Sequence, residues 1–319
     1  MKSVHDDPEF DALIQIVAGE RRLSPGLIEK DYWVTHTLWA LASAGFEVWF
    51  KGGTSLSKGF RLIQRFSEDL DVKIEPGTVA ALPTISNWKS EGTKATSARR
   101  KYFERLAELL AVPAAQVALD PGSVDRAWRG ANLRVTYPGR HMAELHNAMR
   151  PFRPAGGRER ARNALREMRP HFVRTREARG RRPARDIRGQ PTERRSIHPL
   201  VTLIEKLDNL RRRFPNERAE PATFVRHYED AAHIITNADR LPQLVGYADA
   251  RALAIDMLEQ KQIAALPSAA DRCLVPDNGS RWAAIRAAHA AIGQMFWAPR
   301  ISVEGACVTV QGWISETFG

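Results

Sequence analysis

Cysteine is nearly absent: the chain has two, Cys273 and Cys307, in unrelated contexts with no metal-ligand spacing. That excludes a thiolate metal site, and both read as reduced structural residues. No apolar run approaches the ~18 residues that a membrane helix needs. The N-terminus MKSVHDDPEF lacks the pattern of a signal peptide. A cytoplasmic protein with no membrane partner is therefore the expectation, and 319 residues can bury a sizeable core. Lysine is missing altogether from residues 151–195, which instead hold 15 Arg and 5 acids, a net +10 of the chain's +11. Basicity is thus local, and it is not a property of the whole fold. The same stretch is poor in aliphatic residues and has almost no period. It reads as a disordered arm that neutralises nucleic-acid phosphates, as a loop that orders on substrate, or as an out-of-frame anomaly of a GC-rich gene.

What is there is concentrated in residues 47–74, EVWFKGGTSLSKGFRLIQRFSEDLDVKI. Glu47 to Phe50 is a short apolar run that reads as a strand, and Gly52-Gly53-Thr54 makes a tight turn. Ser55 to Gln64 places Leu56, Phe60 and Ile63 on a helical stripe. From Glu68 the pattern alternates strictly, so Asp69, Asp71 and Lys73 share one strand face while Leu70, Val72 and Ile74 share the other, buried one. Two carboxylates this close repel unless a cation lies between them. Hard oxygens two residues apart on a strand suit Mg²⁺, with waters and phosphate oxygens completing its shell. Glycines let backbone N–H groups approach a phosphate, and Thr54 or Ser55 can add a hydroxyl. A glycine corner alone, or a D-x-D edge alone, is commonly structural. Joined by a short helix, they point to metal-assisted phosphoryl or nucleotidyl transfer.

Along the rest of the chain, residues 9–19 read as a helix, and Ser24-Pro25 caps a second that runs to about Ala44. Residues 76–97 read as a loop, Ala98–Leu110 as a helix and Asn132–Tyr137 as a strand. PLVTLIEKLDNLRRR sets Leu200, Leu203, Ile204, Leu207 and Leu210 on one stripe with Lys206 off it. Further helices are expected over Asp249–Ala265 and Gly279–Trp297, and VTVQGWI suggests a final strand.

Gly52-Gly53-Thr54 followed by Ser67-Glu68-Asp69-Leu70-Asp71 resembles the signature of the DNA polymerase β-like nucleotidyltransferases. More narrowly it resembles the AbiEii/AbiGii toxins of bacterial toxin–antitoxin and phage-defence (abortive infection) systems. The gap from Thr54 to Asp69 is longer than the general superfamily pattern and fits this branch. Glu29-Lys30-Asp31-Tyr32 is similar to the family's E-K-D-Y, read either as an exposed charged face or as a support for the glycine loop. By resemblance to a family motif, the lysine of T-L-x-E-K-L, Lys206, faces the nucleotide triphosphate. By resemblance to R-H-x-x-D, Asp230 is the general base or the partner of Lys206; the bland alternative is an ion pair with Arg226, one turn earlier. The wider superfamily often adds a third carboxylate. NLRVTY supplies none, and Glu144 and Asp125 are candidates without motif support.

The resemblance implies an α+β fold, a polymerase β-like core with a mainly helical C-terminal lobe. Its parts would be residues 1–149, an irregular Arg-rich segment 150–196, and 197–319. Asp69 and Asp71 would bind Mg²⁺, Gly52, Gly53, Thr54 and Ser55 the phosphates, and Lys206 and Asp230 would complete the catalytic set. The implied partners are a nucleoside triphosphate, a tRNA or other RNA acceptor, and a cognate antitoxin. The rivals are an enzyme of the same fold acting on a small-molecule or protein hydroxyl, a non-enzymatic basic nucleic-acid-binding protein, and a decayed toxin.

Overall fold

The computed structural model describes residues 3–66, 70–75, 79, 81–88, 90–120, 122, 124, 126–141, 162–167 and 195–319, with backbone alone for 75, 162–167 and 195. Helix α1 (Phe10–Arg21) stops at Arg22, whose φ of 54° lies in the left-handed region. Helix α2 (Pro25–Ser43) starts where the Ser24 hydroxyl accepts the Leu27 N–H and Pro25 supplies the first helical position. Strands β1 (Glu47–Phe50) and β2 (Leu70–Glu75) pair antiparallel, with Phe50 opposite Val72. Then come α3 (Thr93–Leu109), β3 (Gln116–Asp120), β4 (Ala131–Thr136), β5 (Arg162–Glu167) and β6 (Arg195–Ser196). The sheet order is β3-β4-β5-β2-β1-β6; β5 runs parallel to β2, and β6 parallel to β1.

The alternation in β2 and β4 decides which face is covered. Leu70, Val72 and Ile74 lie with Ala131, Leu133 and Val135 in one apolar cluster with Val34 and Leu41 of α2 and Tyr102, Phe103 and Leu106 of α3. The Asp71 and Lys73 row therefore stands on the opposite face, away from these helices. This is an α+β arrangement, two helices over one face of a mixed sheet.

The C-terminal part is helical: α4 (Pro199–Arg213), α5 (Arg226–Thr236), α6 (Ala250–Glu259), α7 (Ser280–Ala291) and α8 (Val303–Phe318). Leu203, Leu207 and Leu210 of α4 pack with Tyr228 of α5, Trp282 and Ile285 of α7 and Val310 of α8. Leu56, Leu62, Ile63 and Phe66, from the β1–β2 connection, belong to the same buried cluster. Burying each such side chain is worth about 1.5–3 kcal/mol, whereas an exposed ion pair contributes about 1 kcal/mol at most. The seam between sheet and helices is therefore held chiefly by apolar packing. Two backbone bonds seal it, Phe66 N–H to the Met295 carbonyl (2.8 Å) and Trp297 N–H to that of Gln64 (3.2 Å).

Several elements differ from the sequence reading. Ser55–Gln64 is not one helix: a helical turn at Gly52–Thr54 runs into a π turn at Ser55–Gly59, and Arg61, at φ 55°, ends it. Leu56 and Ile63 are buried all the same, through different local geometry. VTVQGWI lies inside α8, where Val303, Ala306, Cys307, Val310 and Ile314 face inward at helical spacing and Ser302 accepts the Gly305 N–H. Strand β3 was not expected, nor was β5, which crosses the Arg-rich stretch without any alternation and still sits mid-sheet. Residues 168–194 lie outside the described residues. Helix α6 ends at Glu259 and α7 at Ala291, each earlier than expected. Both cysteines are buried free thiols, and burial pushes each up to about 12. Among the described residues no helix is long and apolar enough to cross a membrane.

Candidate active site

The β1–β2 pairing brings the glycine turn against Asp71. Lys51 N–H donates to the Asp71 carbonyl at 3.0 Å, and the next residue, Gly52, has φ +57°. A Cβ on Gly52 would lie 2.6 Å from Asp71 Oδ2, so only glycine lets the carboxylate come this near the backbone. Gly52, Gly53 and Asp71 line a cavity of about 370 Å³ that Lys206 of α4 and His227 of α5 also line. Among the described residues no side chain pairs with the Asp71 carboxylate. Thr54 and Ser55 are wholly buried and do not line the cavity; the Ser55 hydroxyl donates to the Ile197 carbonyl at 3.2 Å. The two hydroxyls expected to hold phosphate are thus buried and outside that lining. Asp69, Asp125 and Glu144 lie outside the described residues.

The E-K-D-Y stretch holds the surroundings in place. Glu29, buried on α2, accepts the N–H groups of Arg140 and His141 at 2.9–3.0 Å. Asp31 pairs with Lys58 at 2.6 Å, in the π turn that follows the glycines, and Lys58 also donates to Thr35. A second bridge, Lys51 to Glu205 at 2.8 Å, ties the start of the turn to α4.

Lys206 and Asp230 meet. The ammonium lies 2.7 Å from Asp230 Oδ2 and 3.3 Å from His227 Nδ1. Arg65 grips the same carboxylate with two bonds, Nε to Oδ1 at 2.8 Å and Nη2 to Oδ2 at 2.7 Å. The partners of Asp230 are thus Arg65 and Lys206, not Arg226 one turn earlier. Burial favours the neutral acid, but the two cations outweigh it and hold the carboxyl far below its usual range. A carboxylate so held is a poor proton acceptor. Burial lowers Lys206 below an ordinary lysine while Asp230 acts against that. Burial, with Lys206 and Arg226 beside it, lowers His227 well below the usual imidazole value, so the ring is neutral and its Nδ1 can accept from the ammonium. Arg65 has no motif to betray it. It falls just past what reads as a helix, between Gln64 and the alternating strand, and its contact with Asp230 reveals it.

Asp71 supplies the oxygen chemistry that a hard divalent cation takes. Asp71 offers hard oxygens with no side-chain partner among the described residues, on a wall shared with the glycine turn. No group of three or more His, Cys, Asp or Glu residues gathers among the described residues.

A search of curated proteins and a search of solved structures each return no match. The family model described as nucleotidyl transferase AbiEii toxin, type IV toxin–antitoxin system, matches residues 39–288. That span takes in the lining of the cavity, from β1 and the glycine turn to α4 and α5, and most of the chain: the protein belongs to the AbiEii toxin family of nucleotidyl transferases, enzymes that transfer phosphorus-containing groups.

Proposed function

We propose that the protein transfers a nucleotide from a nucleoside triphosphate to a tRNA, with Mg²⁺, on a polymerase β-like core. The supporting observation is the convergence of Asp71, the Gly52-Gly53 backbone and Lys206 on one cavity. Asp71, with Asp69 two positions before it, would hold the metal, which when bound neutralises phosphate charge and orients the triphosphate. Backbone N–H groups of Gly52 and Gly53 donate to phosphate oxygens. Lys206 stabilises the negative charge that develops on the leaving pyrophosphate. Asp230, fixed by Arg65, aims that ammonium, and its depressed pKa makes it a positioning residue in preference to a general base. The type IV family implies a cognate antitoxin as a further partner. The cations Lys51, Arg212 and Arg226 on the cavity wall favour a polyanionic substrate.

The test incubates the protein with Mg²⁺, total bacterial tRNA and each labelled nucleoside triphosphate in turn, beside a folded Asp71→Ala variant. Label should appear on RNA with wild type and fall at least about a hundredfold in the variant, the scale on which lost transition-state stabilisation is felt. Label on protein or a small molecule would redirect the acceptor. RNA labelling that survives Asp71→Ala would remove the site.

A further inference from the structure

Two polar side chains on the cavity wall lack a partner among the described residues. The buried side-chain nitrogens and oxygens without a hydrogen bond include Thr202 Oγ1 and Asn209 Oδ1, and both residues line the cavity. Thr202 is 1% exposed. Thr35, Thr37, Thr236 and Thr309, in other helices, each donate to the carbonyl four residues earlier. Thr202, in the first turn of α4, leaves that bond unmade; the His198 carbonyl accepts the N–H groups of Val201 and Thr202 instead. A buried hydroxyl or amide without a partner is costly, and a ligand in the cavity would satisfy both.

Their positions say which part of a ligand each would meet. Residues 202, 206 and 209 fall on one helical face, with Thr202 about 6 Å before Lys206 along the axis and Asn209 about 4.5 Å beyond it. The N-terminal half of α4 abuts the glycine turn, through Ile197 N–H to the Phe50 carbonyl (2.9 Å) and Glu205 to Lys51 (2.8 Å). The far half meets the segment after α6, where Ala264 N–H donates to Asp208 at 2.9 Å and Gln262 joins the cavity wall.

We propose that Thr202 and Asn209 are nucleotide-binding residues flanking Lys206. The Thr202 hydroxyl donates to a phosphate oxygen at the glycine-turn end. The Asn209 amide bonds the nucleoside, accepting from a base amino or imino group or a ribose hydroxyl while its N–H₂ donates to a neighbouring acceptor. This rests on the nucleoside triphosphate reading above and adds to it where the nucleoside lies.

Calorimetric titration tests it, using Mg²⁺ with ATP, GTP, CTP, UTP or inorganic tripolyphosphate, on wild type, Thr202→Val and Asn209→Leu. Asn209→Ala takes the place of the leucine variant should that one not fold. Thr202→Val should weaken every ligand, tripolyphosphate included, about tenfold, the scale of one hydrogen bond. It should also raise the Tm of the ligand-free protein, because a methyl replaces an unpartnered hydroxyl; a merely structural threonine would not show that opposition. Asn209→Leu should weaken the nucleoside triphosphates about tenfold and leave tripolyphosphate unchanged. If wild type binds nucleotides and both variants match it, the assignment fails while nucleotide transfer stands. If wild type binds none of the five ligands, both fall.

Discussion

Asp230 is a buried charge that belongs to two cations at once. Arg65 supplies a planar two-bond grip and Lys206 a single ammonium, and the carboxylate is fully enclosed between them. Coulombic attraction in such a site does little more than offset desolvation, but removing one member strands the others. Asp230→Asn keeps the shape and removes the charge, leaving Arg65 and Lys206 facing each other. Urea unfolding should show a loss of about 3 kcal/mol, and nucleotide transfer should fall with it as Lys206 loses its aim. The pH–rate profile separates aiming from proton abstraction. With the carboxyl far below its usual range, wild type should show no acid limb from Asp230 between about pH 5 and 8. A limb in that window that vanishes in Asp230→Asn would restore the general base.

The glycine turn shows what one element demands of its sequence. Gly52 is needed twice, for its φ of +57° and because a Cβ would meet Asp71 Oδ2 at 2.6 Å. Gly52→Ala should cost about 1–2 kcal/mol from the backbone alone and abolish transfer by displacing Asp71. Gly19 is the control: it lies inside α1, and a Cβ there would meet nothing within 4 Å, so Gly19→Ala should stabilise by about 0.5–1 kcal/mol. Thermal melts and labelling assays read both; equal behaviour of the two would show that the turn tolerates a side chain. Elements with a strong local signal were legible in the chain: Ser24-Pro25 opening α2, the leucine stripe of α4, and the alternation of β2 that sets Asp71 opposite the buried face. Elements shaped by their neighbours were not. The π turn at Ser55–Gly59 packs against β6, where a Cβ on Gly59 would meet Ser196 Oγ at 2.6 Å. In α8, β-branched and aromatic residues in a short window imitate a strand, and only the longer run from Val303 reveals the helix. Lys206 and Asp230 were readable as motif positions, whereas Arg65 and the inward-facing roles of Thr54 and Ser55 depend on what tertiary packing brings beside them.

At the scale of the whole molecule, α5 adds polar ties to the apolar seam, and it does so through two adjacent acids. Asp230 reaches back to Arg65, beyond the glycine turn, while Glu229 reaches forward to the segment before α8. Arg300 holds Glu229 with Nη2 at 2.6 Å, the Ile301 N–H donates at 3.1 Å, and His289 Nε2 lies 3.1 Å away. Burial alone would raise the Glu229 carboxyl, but the His289 ring beside it and the hydrogen bonds and charge of Arg300 outweigh that and hold the group below its ordinary value. Both acids are thus depressed in the folded protein. Their stabilisation is complete above the unfolded carboxyl range, about 3.9–4.3, and is lost as pH falls through that range toward the folded values. Urea midpoints should hold steady from about pH 7 to 5 and then drop steadily below about pH 4.5. Glu229→Gln should lower stability at neutral pH by about 2 kcal/mol, the worth of a hydrogen bond to a charged group. It should also flatten the acid limb, since one of the titrating groups is gone. If the variant keeps the full acid slope, surface carboxylates govern acid unfolding and the α5 tie does not. A flattened slope with an unchanged limb for Asp230→Asn would place the pH sensitivity on the Arg300 side of the seam alone.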